Sequence, residues 1–259
     1  MLLPFVEGGN EYAKIDFSLG YHDAGNRSNF PPSGIATQRI SVLLCPSEIN
    51  DRVRLNAAGQ PEHFPLNYAL NMGQYLVFNP VGGQDGGGAF APNGRIRERD
   101  FTDGLSNTIA MGERLRGNGA VPRTRTMMNA GGWFTTPNQC LSNYDAAARA
   151  WTGSPGLGNW SGVRWPDGGM GFGGLTTNAP PNSVSCAWNN HDAQPGLYPP
   201  SSNHPGGVTM IMGDAAIRFV SDSIDVGNLN ASATGLSGAS PFGVFGAMGT
   251  RAGSEATAR

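Results

Sequence analysis

An antiparallel-rich α+β fold with few helices and long loops is predicted by three observations. Glycine and proline supply 39 and 19 of the 259 residues, about one residue in five against a usual ~12%, so turns occupy much of the chain. The apolar runs span only about five residues, the length of a strand rather than of a helix. Long polar or Gly-rich stretches separate them, which disfavours the regular βαβ alternation of a parallel sheet.

The elements follow in order. Pro4 to Ile15 reads as a short helix with Leu2, Phe5, Tyr12 and Ile15 on one side, weakened by Gly8-Gly9. Residues 17–38 are polar loop. Ile40 to Leu44 is a buried strand ended by Pro46. Asp51 to Pro65 is a polar excursion with a hairpin at Ala58-Gly59, and Asn67 to Phe78 forms a strand. A Gly-rich loop covers Asn79 to Gly94, and Arg97 to Phe101 leads into a turn. Thr108 to Glu113 is a strand that places Glu113 at its end, and Gly131 to Thr135 a shorter one around Trp133. Residues 137–200 are the least regular, with one helix within Leu141 to Trp151. Pro205-Gly206-Gly207 and Gly213-Asp214-Ala215 bracket a strand from Val208 to Met212, buried on both faces. Ile217 and Phe219 then alternate with Ala216, Arg218 and Val220 in the second arm of a hairpin. Residues 227–249 are small and polar. No internal repeat stands out, and residues 1–259 read as one domain, with 117–200 a loop-rich elaboration.

Composition narrows the function. The length suffices for a real core, and 5 Trp, 6 Tyr and 12 Phe exclude charge-driven disorder. A net charge of −2 and a single lysine, Lys14, exclude a nucleic-acid partner, which would need a basic face. The clustered arginines Arg95, Arg97, Arg99, Arg114, Arg116, Arg123 and Arg125 read as loop charge paired with Glu98, Asp100 and Glu113. No apolar run approaches the ~20 residues needed to span a bilayer.

Catalytic signatures are missing. Gly82-Gly83-Gln84-Asp85-Gly86-Gly87-Gly88 lacks the G-K-[ST] of a phosphate loop and reads as a turn-forming loop. There is no G-x-S-x-G elbow. The histidines His22, His63, His191 and His204 lack H-x-H or H-x-x-x-H spacing, so zinc is not expected. His204 reads as a turn residue whose ring holds a neighbouring loop, with a catalytic base or metal ligand as the alternative. Asp103, Ser106 and Asn107 organise a tight turn around Gly104, and a calcium loop is the alternative. Asp214 belongs to the hairpin turn, and alternation separates it from Asp222 and Asp225. Glu113 and Arg114 read as a structural ion pair tying loop to sheet. Trp133, Trp151, Trp160, Trp165, Trp188 and Tyr144 form a small core beneath the loops, or a surface for stacking on sugar rings.

Ser202-Asn203-His204-Pro205-Gly206-Gly207, the apolar run and Gly213-Asp214-Ala215-Ala216-Ile217-Arg218-Phe219 resemble the C-terminal signature of the pilin-like DUF1559 proteins of Planctomycetes and related bacteria. That pattern is roughly S-x-H-x-G-G, an apolar run, then D-G-S-V-R-F; Ala215-Ala216 here replaces Gly-Ser. Further matches follow in order: Leu2-Leu3-Pro4-Phe5-Val6-Glu7, Leu44-Cys45-Pro46-Ser47-Glu48, Asn67-Tyr68-Ala69-Leu70-Asn71-Met72-Gly73, and Asp103-Gly104-Leu105-Ser106-Asn107-Thr108 with Gly112-Glu113-Arg114. Pro180-Pro181-Asn182-Ser183 ahead of Cys186, and Thr250-Arg251-Ala252-Gly253-Ser254-Glu255, complete the set.

The resemblance implies a pilin-like globular head whose antiparallel sheet packs on a long hydrophobic N-terminal helix preceded by a prepilin cleavage site. It implies export to an extracytoplasmic location and a non-catalytic role in a surface filament or secretion apparatus. Other pilin-like subunits or cell-surface components are then the partners. The sequence as given starts at an internal point of the pattern, without that helix, so no membrane insertion is expected of it. In an exported protein, three cysteines mean one disulfide and one free thiol. Cys140 and Cys186, both in loop-rich sequence, are the favoured pair, with three free thiols as the alternative. No cofactor is expected apart from the calcium alternative. Two other functions stay open: a glycan-binding module displaying loops 117–200, and a hydrolase using His204 with Asp103 or Asp214.

Overall fold

The structure, a computed structural model, describes residues 3–21, 34–74, 85–92, 94–117, 119–129, 135–188, 195–234, 236 and 238–255. Five strands form the main sheet: β1 (Tyr68–Asn71), β2 (Ile109–Glu113), β3 (Gly174–Leu175), β4 (Gly207–Met212) and β5 (Ile217–Ser221), side by side in the order β5-β4-β2-β1-β3. All neighbours are antiparallel except β1 and β3. This is the α+β class with little helix that the Gly/Pro-rich composition predicts.

The C-terminal hairpin forms where its turn signals place it, but its faces differ from expectation. Side chains alternate along β4. Val208, Met210 and Met212 point inward with Ile109 and Val220, and pack on Phe245 and Met248 of the helix Gly243–Gly249. Gly112 faces Met210 so closely that a Cβ there would collide with the Met210 sulfur. A register shift between Ile211 and Met212 lets Met212 oppose Ile109, keeping both in the core. The opposite face is open. Ile217 opposes Ile211, Ile211 opposes Met111, and Met111 opposes Leu70, so one apolar row crosses four strands. Its ends are exposed, Ile217 at 73% and Leu70 at 37%, and Phe219 beside it at 58%. Strand β4 is thus buried on one face, not two.

The irregular stretch 117–200 holds a second sheet. Its strands are Gly196–Leu197, Ser185–Trp188, Thr126–Asn129 and Gly156–Gly158, in that order, with the middle pair parallel. Cys186 on one of them is bonded to Cys140 of the helix Pro137–Leu141, with Cα atoms 6.0 Å apart. Met127, Val184 and Leu197 pack around the bridge, with Tyr144, Trp151 and Leu157 against them. Cys45 is the free thiol.

Several local expectations are corrected. Ile40 to Leu44 is a 3-10 turn over Ser41–Leu43, because the Leu43 and Leu44 N–H groups turn back onto the carbonyls of Ile40 (2.9 Å) and Ser41 (3.1 Å), and among the described residues no strand pairs with the segment. Strand β1 ends at Asn71, ahead of Gly73 at φ 104°. The helix expected in 141–151 ends at Leu141. Asp145 then accepts the N–H groups of Ala147 (2.8 Å) and Ala148 (2.9 Å), turning the Ala-rich run back so that Tyr144–Asp145 pairs with Ala150–Trp151. The N-terminal helix is two short pieces, Leu3–Phe5 and Gly9–Tyr12. The helix Gly243–Gly249 fell in a stretch read as polar; seven residues carry too little periodicity to reveal it. The hairpin at Ala58-Gly59 forms, with Gly59 at φ 75°. Trp133 and Gly82 to Gln84 lie outside the described residues.

Two stability outcomes follow. Ala215, where the family pattern has glycine, sits at φ 68°, a region costing an L-residue about 1–2 kcal/mol. Ala215→Gly should stabilise the protein by about 1 kcal/mol in denaturant unfolding. The Cys140–Cys186 bridge closes a separation of 46 residues, and reducing it should cost about 4 kcal/mol by chain entropy, read as a lower midpoint with reductant.

Candidate functional site

Strand β2 ends at Glu113, and alternation sends Glu113 and Arg114 to opposite sides, so they do not form the expected ion pair. Arg114 turns inward and is 1% exposed. Its Nε donates to Ser161 Oγ (2.8 Å), and its Nη1 to the carbonyl of Gly174 on β3 and to that of Met170 (3.4 Å). The guanidinium carbon lies 5.2 Å from the Tyr198 ring centroid. Burial pushes the guanidinium down to about 10.

Glu113 turns to the open side of the sheet, yet is 3% exposed, because two loops cover it. Its Oε2 accepts the backbone N–H of Thr209 (2.6 Å) on β4. Its Oε1 lies 2.9 Å from His204 Nε2 and 3.4 Å from Cys45 Sγ. Cys45 Sγ and His204 Nε2 are 3.6 Å apart, and Ser47 Oγ is 3.1 Å from the sulfur. The Tyr68 hydroxyl is raised above the usual tyrosine range, by burial first and then by the electrostatic influence of its neighbours Cys45 and Glu113.

Each of the three side chains is positioned by its own support. Buried Asn67 holds the cysteine loop: its Oδ1 accepts the Cys45 N–H (3.1 Å), and its Nδ2 donates to Glu48 Oε2 (3.0 Å) and to the Arg114 carbonyl (3.0 Å). Glu48, also buried, accepts the N–H groups of Asn50 (2.9 Å) and Arg116 (3.0 Å). On the histidine turn, Ser202 Oγ accepts the His204 N–H (3.0 Å) and donates to the Gly207 carbonyl (2.8 Å). Asn203 Nδ2 donates to the Ser47 carbonyl (3.0 Å), stitching the two loops together. The His204 side chain is 38% exposed and borders a groove whose walls include Arg123, Tyr144, Asn182 and Asp222.

This arrangement offers sulfur, oxygen and nitrogen atoms converging on one point. It does not offer a nucleophile–base–acid relay, in which the acid orients the far ring nitrogen of the base. Carboxylate and thiol here face the same nitrogen, Nε2.

The other sequence-predicted residues lie elsewhere. Asp103 does not close its own loop: its Oδ2 accepts the N–H of Gly253 (2.6 Å) and its Oδ1 that of Ser254 (3.0 Å). Asn107 Nδ2 donates to the Asp103 carbonyl (2.8 Å), Gly104 adopts φ 94°, and Ser106 is exposed rather than part of the network. Each carboxylate oxygen of Asp103 thus accepts a backbone donor from the 253–254 segment. Asp214 accepts the Ala216 N–H (3.0 Å) in the hairpin turn, Asp222 is bonded by Asn182 Nδ2 (2.7 Å), and Asp225 accepts the Gly227 N–H (2.9 Å). Trp151 donates from Nε1 to the Pro122 carbonyl (3.0 Å) and meets Tyr144 edge-on at 5.3 Å. His22 and His191 lie outside the described residues. Cys45, Asn67 and Glu48 carry no functional assignment from the sequence alone. The signal was present in the motif segments Leu44–Glu48 and Asn67–Gly73, but only the fold brings them to Glu113 and His204.

Asn67→Ala would leave the Cys45 N–H without its side-chain acceptor and remove one donor each from Glu48 Oε2 and the Arg114 carbonyl. It should destabilise by about 2–3 kcal/mol, checked by equilibrium unfolding of the purified variant.

No curated protein and no solved structure matches the chain. The sequence profile of a family described as "Protein of unknown function (DUF1559)" matches residues 1–227, and the chain, whose motif segments supply the cluster at Glu113, belongs to that family.

Proposed function

We propose that the chain is a non-catalytic, extracytoplasmic structural subunit, the globular head of a pilin-like component of a surface filament or secretion apparatus. The observation that carries this reading is the open apolar face of the main sheet. One face is filled by the chain's own helix Gly243–Gly249. The other presents Ile217, Ile211, Met111 and Leu70 in one row, with Phe219 alongside. Burying an exposed Ile or Phe fully is worth about 1.5–3 kcal/mol, so such a row favours a partner. A long apolar helix laid across the strands suits it in shape and polarity, and that is the element a pilin-type sheet packs against. A neighbouring subunit or an attached segment could each supply the helix.

The bridge between Cys140 and Cys186 supports an oxidising compartment. No helix among the described residues is long and apolar enough to cross a membrane, so in this reading any anchoring falls to the helix that covers the sheet. The glycan alternative is weakened because Tyr144 and Trp151 pack on the disulfide core. The hydrolase alternative is weakened because His204 meets Glu113 and Cys45 rather than Asp103 or Asp214.

A double variant, Ile217→Asp with Phe219→Asp, tests the reading in the native cells. Both side chains are exposed, so folding stability should change by no more than about 0.5 kcal/mol per site. The unaltered protein should appear in sheared surface or envelope fractions, and the double variant should be lost from the assembled material while still folding. Recovery of the unaltered protein only from the cytosol, or normal assembly of the double variant, would refute the proposal.

A further inference from the structure

We propose that Cys45, Glu113 and His204 form a binding site for a single borderline-soft divalent transition-metal ion of the zinc class. The inference is independent of the structural-subunit reading and adds a ligand to it.

The geometry is the first argument. Metal–ligand lengths of about 2.3 Å to sulfur, 2.0–2.1 Å to imidazole and 2.0–2.2 Å to carboxylate, at tetrahedral angles, require separations of about 3.6 Å for S···N, 3.6 Å for S···O and 3.4 Å for N···O. The observed separations are 3.6, 3.4 and 2.9 Å. Two already fit, and the third needs an opening of about 0.5 Å, within reach of the His204 side chain at 38% exposure.

The second argument is support around the ligands. Glu113 Oε2 is anchored by the Thr209 N–H, which leaves Oε1 aimed at the sulfur and the imidazole. The Cys45 backbone is fixed by Asn67 and the His204 backbone by Ser202. Such outer-shell contacts orient ligands before the ion arrives. Third, Glu113 is a buried carboxylate facing a thiol and an imidazole, while its sequence neighbour Arg114 is turned away to the other side. Among the described residues the ion-pair partner of Glu113 is His204, and a dication compensates a carboxylate and a thiolate together. The thiol selects a zinc-like ion over calcium or magnesium, which prefer all-oxygen sites. Three protein ligands leave a fourth position toward Ser47 Oγ or the groove beside His204.

Binding replaces the Cys45 S–H bond by a metal–sulfur bond and releases the proton to the buffer. The ion would join the 44–48 loop, the end of β2 and the 201–206 turn. The ligands lie 68 and 91 residues apart, and 159 between the outer two. That is why no local histidine spacing reveals them and why zinc was not expected from sequence.

The test uses the full chain, disulfide intact, after chelator treatment, titrated with Co²⁺ and then Zn²⁺. One equivalent of Co²⁺ should produce a thiolate-to-cobalt charge-transfer band, which Zn²⁺ then removes. Cys45→Ser should abolish the band. Glu113→Gln and His204→Ala should each weaken binding by more than the ~10–100-fold typical of an outer-shell change. Zn²⁺ should raise the melting temperature of the unaltered protein but not of His204→Ala, whose position on an exposed turn keeps the fold testable. Absence of the band at one equivalent would overturn the proposal. So would a band of unchanged affinity in His204→Ala, which would mean that the thiol binds cobalt alone.

Discussion

The two-residue side-chain period at the end of β2 is the constraint on which both faces of the molecule depend. It places a buried carboxylate on one side of the sheet and a buried guanidinium on the other, at consecutive positions. Arg114 reaches under β1 to the carbonyl of Gly174 and to Ser161, tying the parallel edge strand and the 160s segment to the sheet. Glu113 gathers β4, the cysteine loop and the histidine turn on the opposite side. A one-residue slip of β2 would exchange these roles and leave both charges among the wrong partners.

Asn67 converts that split into a lattice. Its backbone N–H and carbonyl bond to Leu43 and Arg114, and its amide reaches Cys45, Glu48 and Arg114. One short side chain therefore replaces the ladder that a neighbouring strand would have supplied to the 40–48 segment. The same economy appears at Asp103, whose carboxylate holds a backbone segment some 150 residues later in the chain. Loop-rich folds need such bonds, because buried backbone groups outside helices and sheets must find partners among side chains.

Legibility in the sequence followed the range of the interactions. The hairpin of β4 and β5 was readable because Pro-Gly-Gly and Gly-Asp-Ala punctuate it locally, and β2 because Thr108 to Glu113 follows a turn of Asp, Gly and Asn. The partition of β4 into an inner and an outer face was not readable, since Ile211 and Met210 are equally apolar. Strand pairing in the second sheet was hidden by short segments such as Gly196–Leu197, two residues that carry no period. The pairing of Cys140 with Cys186 could be favoured by setting Cys45 aside, whereas the meeting of Cys45 with Glu113 and His204 depends on three loops closing over one strand end. Glu113 and Arg114 looked like an ion pair because they are adjacent; adjacency along a strand is what separates them.

The helix Gly243–Gly249 has a bearing on how the polypeptide matures during synthesis. The inner face of the main sheet is completed by Phe245 and Met248, and the loop before β2 is clasped by Gly253 and Ser254. Strands β1 and β2 leave the ribosome well over a hundred residues ahead of the segments that seal them. At about 5–20 residues per second, they wait roughly 7–35 seconds with apolar surface uncovered. The second sheet, whose last strand ends at Leu197, has all its strands made before β4 and β5. The first strands of the main sheet are thus sealed by segments made long after them. Partial lengths that lack residues 243–254 present a half-covered sheet with free edges, so a chain with this topology gains from being kept unfolded until those residues have been made.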